Sequence, residues 1–230
     1  MSRTPDARLA ACASFVRRGS VFCDVGTDHA YLPLYLLEEG LISRAVACDI
    51  GEGPLASARA HLAEAGMLDR VKLVLTDGLV GLEEEGIEDI AVCGMGGELI
   101  CHILQNAPFT KDPAVRLILQ PMTHIADLRR FLAENGYAVT AERLSLAAGR
   151  VYTCLCACYD GRVRALSPAE ALFGLAPAEE EEQRALYARL LSRTRAALQK
   201  QVRGREAGGD DPAEERELLV TCEKLLKEYR

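Results

Sequence analysis

The sequence predicts an α/β protein: a mostly parallel sheet with helices on both faces, extended by a pair of C-terminal helices. Three observations carry this reading. From about Ser20 to Tyr159, short apolar β-rich runs alternate with helical patterns. The runs are nearly continuous in apolar residues, as strands are when both faces are covered. Past about Gly161 the texture turns charged, and apolar residues recur at heptad spacing.

Taken in order, "VFCDV", "RAVACDI", "VKLVLT", "IEDIAVCG" and "RLILQP" are five strands, separated by helical segments such as "YLPLYLLEEG" and "GPLASARAHLAEAG". After the helix "IADLRRFLAENG" come two more strand segments, "YAVTAERLSL" and "RVYTCLCACY". They are joined by "AAG", short enough for a hairpin, so the sheet is expected to end with an antiparallel strand. Further on, Ser167 is placed to cap a helix whose first residue is Pro168. A long charged helix then runs from about Ala178 to Arg205, followed by a loop at "GREAGGDDP" and a last helix from Pro212. In the long helix Tyr187, Leu191, Thr194, Leu198 and Gln201 follow heptad spacing; in the last helix Leu218, Cys222, Leu225 and Tyr229 do so. An antiparallel coiled-coil hairpin follows, and with it two domains, residues 1–161 and 162–230.

Composition narrows the class. At 230 residues with 49% hydrophobic residues the chain builds a real core. The nine cysteines form no CxxC pair, and Cys154, Cys156 and Cys158 alternate on one face of a strand, so they read as small buried side chains of a reducing compartment. No export signal, membrane span or metal is expected, and the location is expected to be cytoplasmic. The net charge of −7 argues against a general nucleic-acid binder. The positive charge is nevertheless concentrated: Arg189, Arg193, Lys200 and Arg203 fall on the side of the long helix opposite its apolar stripe, free to follow a phosphate backbone.

The stretch "DVGTDHAYLP" directly follows the first strand. In an open parallel sheet, ligands bind beyond the carboxyl ends of the strands. Gly26 lets the backbone approach a ligand, and Asp49 closes the second strand, where a carboxylate accepts from ribose hydroxyls. A dinucleotide fingerprint would need further glycines, but Asp28 and His29 stand there. A carboxylate in that place repels a pyrophosphate and suits an ammonium and a sulfonium. S-adenosylmethionine carries ribose, ammonium and sulfonium together, so it fits better than NAD. Asp77 follows the third strand, positioned for an adenine amine, and Gly94, Gly96 and Gly97 follow the fourth, leaving open backbone. Each residue has an ordinary alternative, as helix cap, tight turn or structural histidine. Their recurrence at four successive strand ends favours a ligand site.

These residues lie in the strings "DVGTDHAYLP", "ACDIGEGPLASA", "TDGL", "CGMGGELI", "LILQPM" and "LRRFLAENGY". In that order they resemble the bacterial tRNA adenine-22 N1-methyltransferase family, extended by "GRVYTCL" and the helical tail. The resemblance implies a Rossmann-like class I methyltransferase sheet with a C-terminal coiled coil, S-adenosyl-L-methionine as cofactor and tRNA as substrate. It maps cofactor contacts to Asp24, Gly26, Asp28, His29, Asp49, Ile50, Asp77, Gly78, Gly94, Met95 and Gly96. Where the family often has Asn, this chain has His61. For catalysis, Asp28 is placed to stabilise the cationic product ring, and Tyr31, Met95 or Met122 to offer a surface for an extracted base. A monomer is expected. Two other readings remain open: a non-catalytic nucleoside-binding module on the same fold, and a methyltransferase for another substrate.

Overall fold

In the computed structural model, which describes residues 6–177 and 179–229, five parallel strands and a terminal hairpin form one seven-stranded sheet. The strands are β1 (Phe22–Val25), β2 (Ala45–Asp49), β3 (Val71–Leu75), β4 (Asp89–Gly96), β5 (Arg116–Thr123), β6 (Tyr137–Ala147) and β7 (Arg150–Tyr159). Their order is β3-β2-β1-β4-β5-β7-β6, so the strand order reverses between β1 and β4. That reversal opens a crevice at the carboxyl edge.

The alternation of side chains along each strand divides the core between two faces. Cys23, Val25, Val92 and Leu119 pack with Ile100 and Ile103 of α4 (Gly97–Gln105) and Leu128 of α5 (Ile125–Glu134). Phe22, Ala47 and Ile118 face the other way. There they meet α1 (Ala7–Ala13), α2 (Tyr31–Glu38) and α3 (Glu52–Glu64). Sequence periodicity had not marked α1, a short helix capped by Asp6. Its Cys12 thiol lies 3.2 Å from Cys154 Sγ and 3.5 Å from Cys93 Sγ, all three in the reduced form.

The hairpin corrects the expected edge. Its turn is Ala148–Gly149 alone, with both φ positive (+45° and +75°), which matches the twist of tightly joined strands. β7 returns antiparallel between β5 and β6, so the antiparallel strand sits one place in and β6 forms the edge. The crossover through α5 leaves a one-strand gap, and the tight turn folds β7 back into it.

Beyond the sheet, α6 (Pro168–Phe173) starts as expected, with Ser167 and Glu170 forming a reciprocal capping box. The long helix α7 spans Glu181–Gly208, and α8 spans Ala213–Glu228. The expected start at Ala178 lies outside the described residues, as do Met1–Pro5 and Arg230. At its far end α7 continues through Gly204 and stops at Gly209, whose φ of +83° closes it, so the loop is shorter than expected. Tyr187, Leu191 and Leu198 are buried with Cys222 and Leu226, whereas Thr194 is half-buried and Gln201 exposed. The helical pair shares this cluster with Leu144 and Val151 of the hairpin. Two further devices attach it. The buried Gln183 amide pairs with the backbone of Leu144, accepting at 2.8 Å and donating at 3.0 Å. This satisfies part of an exposed sheet edge. The buried Arg129 guanidinium grips Glu142 at 2.8 and 2.7 Å and donates to the Ala171 carbonyl at the end of α6.

Candidate active site

At the end of β1 the chain turns through Gly26, whose φ is +74°. The Gly26 and Thr27 N–H groups both donate to Cys48 O, at 2.8 and 3.1 Å, which pins this turn to the end of β2. Met95 closes over it: a Cβ built on Gly26 would run into Met95 Cε. Only glycine satisfies both the backbone angle and the contact.

Six of the residues singled out from sequence line one cavity of about 170 Å³: Gly26, Asp49, Ile50, Asp77, Gly78 and Met95. The Asp49 carboxylate is oriented by Gly51, whose N–H donates to Oδ1 at 2.8 Å. Ile50 is 72% exposed and Leu99 47% exposed, so two large apolar side chains flank the opening. Gly78, at φ +59°, is pressed against Ile103.

Asp24, at the end of β1 but outside the cavity lining, is buried and accepts from Thr27 Oγ1–H at 2.6 Å. Burial pushes its carboxyl up to about 7, and the nearby charge of Asp49 adds to this while the Thr27 hydroxyl opposes it. The remaining sequence-derived residues stand outside the cavity lining. Asp28 is exposed, its carboxylate 3.6 Å from His29 Nε2. Tyr31, 48% exposed at the start of α2, packs between His29 and His61, with ring centroids 5.2 and 5.0 Å away. His61 Nδ1 also donates to His29 O at 2.8 Å, which gives the His61 departure a packing role. Gly94 and Gly96 flank Met95 at the end of β4.

Several residues of this edge were not foreseen. Gln120, within "LILQPM", is buried and accepts from the Gly94 N–H at 3.2 Å. A polar residue inside an apolar strand run was the available signal. Arg8 donates to the same Gln120 Oε1 at 3.4 Å and lies over the Tyr152 ring, 5.5 Å from its centroid. His124 caps α5 with a left-handed φ of +56°, and its carbonyl packs where a side chain at Gly97 would stand. Arg189, Arg193, Lys200 and Arg203 of α7 are exposed as expected, but two of these four have backbone partners: Arg189 donates to Gly149 O at 2.9 Å and Arg203 to Gln199 O at 3.2 Å.

The cavity chemistry fits S-adenosylmethionine. A carboxylate at the end of β2 and the apolar Ile50 and Leu99 at the opening are the groups that a ribose and an adenine call for.

Comparison with known proteins agrees. A family described as a methyltransferase domain matches residues 6–155. The Bacillus subtilis tRNA (adenine(22)-N(1))-methyltransferase is 34% identical over 161 residues, 67% of this chain and 68% of that protein. A solved structure of the B. subtilis m1A22 tRNA methyltransferase superposes with a TM-score of 0.78 at 28% identity, covering 98% of both chains. A Streptococcus pneumoniae protein, titled as a candidate tRNA (m1A22) methyltransferase and solved with S-adenosyl-L-methionine, gives 0.80 at 31% identity, covering 95% of this chain and 98% of that one. The strand-end cavity, the family match over residues 6–155, the 34% identity to the B. subtilis enzyme and the full-length structural likeness lead to one assignment: the chain belongs to the tRNA (adenine(22)-N(1))-methyltransferase family of class I methyltransferases.

Proposed function

We infer that the chain transfers a methyl group from S-adenosylmethionine to N1 of an adenine in tRNA, at position 22. The observation that carries this is the cavity at the carboxyl ends of β1 to β4, lined by Gly26, Asp49, Asp77 and Met95, in a chain whose fold matches such enzymes along nearly its full length. S-adenosylmethionine, when bound, supplies the methyl group on a sulfonium. Adenine N1 has a lone pair of its own, so the protein needs no strong base and contributes chiefly position.

The residue roles are our reading of the geometry. Asp49 orients the ribose, Asp77 accepts from the adenine amine of the cofactor, and Gly26, Gly78, Gly94 and Gly96 keep the backbone open beside it. Asp24, Asp28, His29, Ile50 and Met95 complete the contact set. Asp28, exposed at the mouth, stabilises positive charge on the product ring, and Tyr31, held by two histidine rings, offers a surface to the extracted base. Residues 1–161 form the S-adenosylmethionine-binding methyltransferase domain, and residues 162–230 form a helical domain that adds RNA contacts. In this division α7 and α8 form a coiled-coil arm whose face with Arg189, Arg193, Lys200 and Arg203 follows the tRNA backbone. The enzyme works as a cytoplasmic monomer; among the described residues no helix is long and apolar enough to cross a membrane.

The test is transfer of labelled methyl groups from S-adenosylmethionine to bulk undermethylated bacterial tRNA. Incorporation into tRNA is expected. Cofactor binding without incorporation would favour the non-catalytic nucleoside-binding module.

A further inference from the structure

A second cavity, about 340 Å³, opens on the same edge of the sheet. Its walls come from the end of β5 (Met122), the cap of α5 (His124), the start of β7 (Arg150, Tyr152) and one face of α7 (Arg193, Thr194). Because β7 runs antiparallel to β5, its first residues lie at the carboxyl edge, where the methyl-transfer residues are. The two places are adjacent: Gly96 of β4 pairs with Thr123 of β5, and Gln120 joins the Gly94 N–H to Arg8, which covers the Tyr152 ring.

The charge of this cavity is unlike that of the protein. The chain carries −7 overall, yet the lining holds two arginines, a histidine and no carboxylate. Glu98 and Asp127 approach His124 at 3.6 and 3.2 Å without forming part of the wall. Arg150 follows the rigid two-residue turn, and that turn is tied to α7 through the Arg189 contact with Gly149 O. So Arg150 and Arg193 are presented to the same space from two elements that are fastened together. A volume of this size is within the roughly 300–1,000 Å³ typical of ligand pockets.

We propose that this cavity holds the substrate RNA strand next to the extracted adenine, with one phosphodiester shared by Arg150 and Arg193 and a flanking base against Tyr152. A planar guanidinium meets a phosphate through two parallel N–H···O bonds, which suits both Arg150 and Arg193 to such a ligand. The site fixes the strand so that the neighbouring nucleotide reaches the cofactor. This rests on the tRNA-methylating function given above.

The experiment measures binding of unmodified tRNA transcript to the full chain across a salt series, with Arg150→Ala, Arg193→Ala and the double variant. Melting temperature and S-adenosylmethionine affinity are recorded alongside, and neither is expected to change. Each single variant should weaken binding but lower the slope of log affinity against log salt by well under one unit, because the shared phosphate keeps one guanidinium. The double variant should lose about one unit, because only then is the shared phosphate left without a cationic partner. An unchanged slope in the double variant, with wild-type protein binding tRNA normally, overturns the cavity proposal and leaves the methyltransferase reading intact. A loss of about two units in the double variant overturns the shared phosphate. Wild-type protein that binds cofactor but neither binds nor methylates tRNA overturns the functional reading, and this proposal with it.

Discussion

The Met95 side chain rests directly on Gly26, linking the turn after β1 to the end of β4 across the point where strand order reverses. This contact closes the floor of the cofactor cavity and explains why the first turn carries glycine. Gly26→Ala would force a side chain into φ +74° and against Met95 Cε. The left-handed backbone alone costs about 1–2 kcal/mol. Calorimetric titration with S-adenosylmethionine should show at least a tenfold loss of affinity. Adding Met95→Ala should recover part of the melting temperature, since it removes the clash and leaves the backbone strain.

Asp24 gives the site a pH dependence whose sign follows from its carboxyl standing at about 7. Below that pH the folded, ligand-free protein keeps the group neutral; with Asp24 counted among the proposed cofactor contacts, we assign it the ammonium, which must displace the proton. S-adenosylmethionine should therefore bind about tenfold more weakly at pH 6 than at pH 8, one pH unit on the protonated side being worth about a factor of ten. Titrations in buffers of different ionisation enthalpy should detect proton release near pH 6, and Asp24→Asn should flatten the profile. Stability without ligand runs in the opposite direction. Between the ordinary carboxylate value and about 7 the unfolded chain ionises this group while the folded chain does not. Its contribution to stability is thus full at low pH and is lost as pH rises through 7. A wild-type affinity independent of pH would place the ammonium away from Asp24.

Arg129 and Glu142 form a buried bidentate pair that joins α5, β6 and the end of α6. Removing one member strands a buried charge, at a cost of about 3–5 kcal/mol. Glu142→Ala should lower the melting temperature by roughly 6–20 °C, taking about 2–4 °C per kcal/mol for a chain of this size. Cofactor affinity of the folded fraction should be unchanged, because the pair is remote from the strand-end cavity. A melting point within a degree or two of wild type would mean that water or another residue satisfies Arg129.

Much of this architecture was legible in the chain. Strands buried on both faces leave a nearly continuous apolar signature, and the acidic or glycine residues at their carboxyl ends stand out against it. Gly26, Asp49, Asp77 and Met95 converge for that reason. What sequence could not supply was long-range placement. The insertion of β7 inside β6 depends on which gap a tight turn folds into, and nothing local to "YAVTAERLSL" records that. Arg8 and Gln120 lie 112 positions apart: Gln120 stands out as a polar residue in an apolar run, but nothing local to Arg8 ties it to Gln120. Heptad spacing located Leu191 and Leu198 correctly, yet it also included Gln201, because the helical pair stops burying residues before α7 ends.

The arm reading of α7 is tested best at Lys200 and Arg203, which lie beyond the second cavity and are exposed. Lys200→Glu with Arg203→Glu should raise KM for tRNA and lower the salt slope by about two units, one for each lost phosphate contact. S-adenosylmethionine affinity should stay as in wild type. An unaltered KM and slope would assign that face to solvent or to a protein partner.

The central claim is the reaction and its position, and nucleotide mapping reaches it most directly. Unmodified tRNA carrying adenine at position 22 is incubated with the protein and S-adenosylmethionine, digested, and its fragments are analysed by mass spectrometry. The account predicts one added methyl group, on N1 of adenine 22, and its loss when that adenine is replaced by guanine. A methyl group on another nucleotide, or on no nucleotide while the protein binds the cofactor, would contradict it.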